Sequence, residues 1–117
     1  MQILFIVLND LSFQRPILEL FVEHKVRGAT ILDSEGMAKA VLEYEGMGMM
    51  LGGLFSQSFP KTPKASKTIF TVVYDDQELP KLIEAIENTL ESSNEHSVGF
   101  MFTLPVSGIY PLKTKKV

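Results

Sequence analysis

Thr68-Ile69-Phe70-Thr71-Val72-Val73-Tyr74 is followed at once by Asp75-Asp76, and then by Leu79, Leu82, Ile83, Ile86 and Leu90. Seven β-branched and aromatic residues closed by two turn-forming acids predict a strand. The spacing i, i+3, i+4, i+7, i+11 that follows predicts a helix with one apolar face, with Asp76 and Pro80 near its start and Glu91-Ser92-Ser93-Asn94 at its end. Downstream, Gly99 to Leu104 reads as a further strand, and Pro105 interrupts it. Residues 106–112 can pair briefly before the basic tail Lys113-Thr114-Lys115-Lys116, and 113–117 is expected to be flexible.

The upstream half repeats this grammar. Ile3-Leu4-Phe5-Ile6-Val7-Leu8 is apolar throughout and stops at Asn9-Asp10, which fits a strand central in its sheet or covered on both faces. Ser12 can cap a helix in which Pro16 falls in the first turn and Ile17, Leu20 and Phe21 share a face; it ends near Lys25, with Gly28 just beyond. Ala29-Thr30-Ile31-Leu32 predicts a short strand that Asp33-Ser34-Glu35-Gly36 terminates. Residues 37–67 carry four further glycines and two prolines without a sustained period, which predicts a long loop with a short helix from Ala38 to Tyr44. The resulting order is βαββαβ, the split ferredoxin-like arrangement: an α+β fold with an antiparallel sheet, two helices on one face, and a long loop between strands 2 and 3.

At 117 residues the chain holds one core, so 1–117 is read as a single domain. With 45% apolar and 21% charged residues it falls among folding globular chains. A net charge of −3 offers no clustered basic surface for nucleic acid. There is no cysteine, which suits the cytoplasm and removes disulfides, thiolate metal sites and cysteine nucleophiles together. The opening apolar run is too short for a signal peptide or a membrane span. Helices on one face leave the other face of an apolar sheet to be covered, and a partner subunit is the simplest cover.

Three stretches resemble the PII nitrogen-regulatory signal proteins. Gly28-Ala29-Thr30-Ile31-Leu32-Asp33-Ser34-Glu35-Gly36-Met37-Ala38-Lys39 is similar to the segment entering that family's T-loop, with Ala38 in place of a glycine and Lys39 in place of an arginine. Ile69-Phe70-Thr71-Val72-Val73-Tyr74-Asp75-Asp76 is similar to its third strand and acidic turn, and Gly99-Phe100-Met101-Phe102-Thr103-Leu104-Pro105-Val106 to its fourth strand. The resemblance implies a homotrimer that binds an adenine nucleotide between neighbouring subunits. It further implies that the T-loop docks on an enzyme or a membrane transporter in nitrogen regulation. Carried over by position, the ligand-binding residues are Thr30 and Gly36 at the T-loop base, Lys39, Gly99 in the B-loop before the fourth strand, and Lys113 near the C-terminal arginine of the family. The stretch Asn94-Glu95-His96-Ser97-Val98-Gly99-Phe100 has one glycine, and Phe100 stands where the family has a phosphate-binding lysine. A carboxylate beside a triphosphate is repulsive, so among ATP, ADP, AMP and cyclic nucleotides the less charged are easier to accept.

Within Gly46-Met47-Gly48-Met49-Met50-Leu51-Gly52-Gly53-Leu54-Phe55, the adaptable side chains Met47, Met49, Met50, Leu51 and Phe55 are candidates for docking a protein partner; the competing reading packs them on their own oligomer or leaves them disordered. Lys39 and Lys113 are either anion ligands or solvated charges, and Thr30 and Gly36 either shape a cleft or simply end a strand. His24 suits a helix C-terminus, while His96 is placed to touch a ligand across a subunit boundary. Two separated histidines do not make a metal site. Glu84, Glu87, Glu91 and Glu95 lie opposite the apolar stripe of their helix and read as solvated. No G-x-S-x-G, P-loop or H-E-x-x-H pattern occurs, so the expectation is a regulator and not an enzyme. The alternative is a ligand-free interaction module of the same fold with a decayed nucleotide site.

Overall fold

The run from Ile3 to Leu8 is uniformly apolar, yet the two-residue period of a strand sorts it. Leu4, Ile6 and Leu8 are buried, whereas Ile3, Phe5 and Val7 are half-buried. This strand is β1, Gln2–Leu8, and the computed structural model that contains it describes residues 1–44, 65–93 and 98–113. A 3-10 turn, Leu11–Phe13, leads into α1, Gln14–Glu23; then come β2, Thr30–Ser34, α2, Met37–Glu43, β3, Ser66–Val73, α3, Glu78–Leu90, and β4, Gly99–Pro105. The strands form one four-stranded sheet in the order β2-β3-β1-β4, with every neighbouring pair antiparallel. The architecture is therefore α+β, and it is compatible with a ferredoxin-like fold. No helix among the described residues is long and apolar enough to cross a membrane.

The core forms where the helices meet one side of β1 and β3. Ile17 and Phe21 of α1, and Leu79, Leu82 and Ile86 of α3, pack with Leu4, Ile6, Leu8, Ile69 and Val73. Each such fully buried side chain contributes on the order of 1.5–3 kcal/mol.

Several local boundaries differ from the sequence expectation, each for a physical reason. Asp10, not Ser12, starts the first helical segment: its carboxylate accepts from the Ser12 backbone N–H at 3.0 Å and from the Ser12 hydroxyl at 2.6 Å. The end of α1 agrees with the expectation of a stop near Lys25, with Gly28 beyond it. Lys25 adopts φ 60°, its N–H bonds the Val22 carbonyl, and the Val26 N–H bonds the Phe21 carbonyl, which is a Schellman ending with lysine in the left-handed position. β2 runs on to Ser34 because Asp33 pairs with Lys67 across the sheet, with a 3.1 Å ion pair between them. The short second helix begins at Met37 and ends at Glu43, one residue earlier at each end than expected.

Residues 106–113 form no helix or strand. Gln2 pairs with Pro105 as the last residues of the β1–β4 ladder, and the Val106 N–H bonds the Met1 carbonyl at 3.2 Å beyond it. Pro111 removes another donor. The expected docking residues Met47, Met49, Met50, Leu51 and Phe55 lie outside the described residues, as do His96, Glu95 and the tail 114–117.

Two substitutions test the backbone logic. Gly99 has φ +154°, and a Cβ there would stand 2.0 Å from the Val7 carbonyl oxygen. Gly99→Ala is expected to lower unfolding free energy by roughly 2–3 kcal/mol in urea titration. Lys25→Gly relieves a left-handed residue and is expected to raise it by roughly 0.5–1 kcal/mol.

Candidate functional site

The sheet has two unlike faces. On the side away from α1 and α3, antiparallel register sets Phe5 directly opposite both Phe70 and Phe102. The rings follow: Phe5 and Phe70 have centroids 5.4 Å apart, Phe5 and Phe102 stack at 5.0 Å, and Phe100 continues the row at 6.1 Å from Phe102. Ile3, Val7, Val72 and Leu104 share this face by the same register. Phe100 is 61% exposed, and Phe102 and Leu104 are also exposed. Across β1, β3 and β4 the face carries no charged side chain between Ile3 and Val7, Thr68 and Val72, or Phe100 and Leu104.

The base of the long β2–β3 connection is pinched shut. Ser34 and Ser66 face each other at the last pair of the β2–β3 ladder. Ser66 is buried, its hydroxyl donates to the Ser34 carbonyl at 2.9 Å, and the two hydroxyls lie 2.9 Å apart in a second hydrogen bond. α2 starts three residues beyond Ser34, with Gly36 as its N-cap and Lys39 in its first turn. Lys39 is half-buried and has no hydrogen bond or ion pair among the described residues.

Among the described residues, the ligand candidates Thr30, Gly36, Lys39, Gly99 and Lys113 do not meet within one chain. Gly36 and Lys39 follow β2 at the end of the sheet where Leu8 pairs with both Lys67 and Gly99. Gly99 lies at that same end, but on β4. β2 and β4 are opposite edges, three strand spacings or roughly 14 Å apart. Thr30 pairs with Phe70 in the middle of the sheet, one strand length of roughly 13 Å from Ser34. The chain just before it is tied to β3 as well, where the buried Thr71 hydroxyl donates to the Gly28 carbonyl. Lys113 is exposed and follows the other end of β4, where Pro105 pairs with Gln2.

Clefts open to solvent among the described residues include two at opposite ends of the sheet. One, of about 360 Å³, runs between the start of β4 and the end of α3; Leu8, Ile86, Leu90, Gly99 and Met101 line it, and the Glu87 and Glu91 side chains stand at it too. An apolar floor beside two carboxylates repels phosphate. The other, of about 400 Å³, lies at the opposite end of the sheet, where Arg27 sits 4.6 Å over the Tyr74 ring and His24 Nδ1 is 3.8 Å from Glu78 Oε2. His24 is the C-cap of α1, as its position in the sequence suggests. Among the described residues, no three His, Asp or Glu side chains are grouped to hold a metal ion.

Sequence reading missed the aromatic row and the role of Phe100 in it. The signal was present in the period-two spacing of Phe100, Phe102 and Leu104, but its continuation through Phe5 and Phe70 depends on register, which pairs residues far apart in sequence. Neither a protein-family model nor a curated protein matches the chain.

The serine clamp generates a specific expectation. Ser66→Ala removes both hydrogen bonds and leaves the Ser34 groups unpaired, and it should cost roughly 1–2 kcal/mol of stability in chemical denaturation. Amide exchange at the β2–β3 ladder should accelerate more than in β1.

Proposed function

We propose that the chain is a ferredoxin-like, PII-like regulatory subunit of the cytoplasm. It acts as a homotrimer, senses a small anion or an adenine nucleotide in clefts between subunits, and controls a transporter or enzyme through the segment joining β2 and β3. The observation that carries this reading is the aromatic face of the sheet. Three strands of uncharged side chains, with partly stacked rings, lie on the side opposite α1 and α3; Phe100, Phe102 and Leu104 are exposed among the described residues, and copies of the same chain can cover one another there.

The distribution of the ligand candidates supports the same assembly. Lys39 and Gly36 at one sheet edge and Gly99 at the other share an end of the sheet, so they converge only when the β2 edge of one subunit approaches the β4 edge of the next. A ligand held there would prefer one arrangement of the segment that leaves the Ser34–Ser66 clamp, and would shift its population accordingly.

A second reading is favoured by one observation. The cleft beside Gly99 is apolar and carries Glu87 and Glu91, which suits a polypeptide side chain better than a phosphate. On that reading the protein is a ligand-free interaction module of the same fold.

Two measurements separate these outcomes. Light scattering on the intact protein should give the mass of three chains, and Phe102→Lys, which puts a charge on the uncovered face, should give monomers that remain folded by circular dichroism. Thermal shift with ATP, ADP, AMP, cyclic nucleotides, 2-oxoglutarate and bicarbonate should then single out one ligand, with about 3 kcal/mol of added stability at a hundredfold excess over its Kd. Loss of that shift in Lys39→Ala supports the sensor; no shift for any compound supports the ligand-free module. A folded monomer at all concentrations overturns the trimeric sensor.

A further inference from the structure

In the segment after β4, Val106 and Ile109 are half-buried, whereas the last large apolar side chains are turned to solvent. Tyr110 is 86% exposed and Leu112 90% exposed, and the backbone bond that joins residues 106–113 to the sheet comes from Val106. Exposed side chains this large and this close together rarely serve no contact. A receptor of matching character lies on the same chain. The cleft between β4 and α3 has an apolar floor that includes Leu90 and Met101, with Glu87 and Glu91 beside it. Glu84, Glu87 and Glu91 are exposed and have no ion-pair partner among the described residues. Among the described strands β4 has β1 as its one neighbour, so its outer N–H and C=O groups have no strand partner among the described residues.

We infer that residues 106–113 form an exchanged arm that docks in this cleft on a second copy of the chain, seating Tyr110 and Leu112 on the apolar floor and Lys113 against Glu87 and Glu91. Charge and hydrophobicity are matched in order: apolar Ile109-Tyr110-Pro111-Leu112 is followed by Lys113, then by Lys115 and Lys116, and the apolar floor is bordered by carboxylates. The position of the arm selects a second copy over its own body. The arm leaves β4 at Pro105, opposite Gln2, whereas the cleft lies at the Gly99 end, six residues or roughly 20 Å back along the strand. The Val106 bond to Met1 carries the chain onward past the end of the sheet, and a reversal after it uses residues the arm needs to reach the cleft. Backbone pairing along the open β4 edge together with side-chain seating is a recurrent way of capturing an extended segment.

This inference rests on the assembly proposed above, not on any ligand. Because the chain has no cysteine, disulfide trapping has a clean background. Glu91→Cys and Leu112→Cys are made separately in the full chain, mixed, allowed to exchange and oxidised. The expected product is a disulfide joining one copy of each variant, absent when Lys81→Cys at the other end of α3 replaces Glu91→Cys. Leu112→Asp, at an exposed position that leaves the fold intact by circular dichroism, is expected to raise the concentration at which subunits dissociate by roughly tenfold or more. An intact protein that is monomeric throughout overturns the assembly and the arm together. An oligomer in which the Glu91→Cys and Leu112→Cys copies form no disulfide with each other, and whose dissociation Leu112→Asp leaves unchanged, overturns the arm alone. A double variant that closes its link within a single chain assigns the cleft to the chain's own arm and overturns the exchange.

Discussion

β1 is the strand through which nearly every other contact is organised. It pairs with β3 on one side and β4 on the other, and the alternation of its side chains divides the molecule into two layers. Leu4, Ile6 and Leu8 anchor the helices, while the half-buried Ile3, Phe5 and Val7 lie on the opposite face. A one-residue slip of this strand would exchange the two sets and lose both the core and the aromatic row. Every residue of the run is apolar, so burial alone does not fix the register. The neighbours fix it: Thr71 and Ile69 on β3 and Thr103 and Met101 on β4 face the helices only in the observed alignment.

The close approach of Gly99 to Val7 is the tightest expression of that constraint. Val98 is buried against the core, its carbonyl accepts from the N–H groups of Asn9 and Asp10, and the chain must turn within one residue to enter β4 beside β1. A side chain at position 99 would meet the β1 backbone. The glycine that the PII resemblance assigns to ligand approach therefore has a sufficient role in folding. By contrast, a Cβ at Gly36 would meet nothing within 4 Å, so close packing is not what requires glycine at the N-cap of α2.

The two ends of the sheet differ in what they offer. At one end the Ser34–Ser66 clamp, Lys39 and the apolar cleft beside Gly99 lie at the ends of strands whose order keeps them apart. At the other, Arg27 is held over Tyr74 and His24 faces Glu78. Among the described residues an apolar face and two sheet edges are left without partners, and the proposed assembly and arm exchange both start from that imbalance.

Local pattern in the sequence determined the strands, the two long helices and their order, because hydrophobic period and turn residues act within a few positions. Leu79, Leu82 and Ile86 declare a buried helix face from spacing alone, and all three are buried. Tertiary structure decided what depends on distant partners: that β3 lies between β1 and β2, that Phe5 joins Phe70 to Phe102, that Asp10 and Lys25 set the ends of the first helical segment, and that Lys39 and Gly99 stand on opposite edges. The physical reason is that a residue's spacing records its own face of an element, whereas strand order and register are set by the packing of all the elements together.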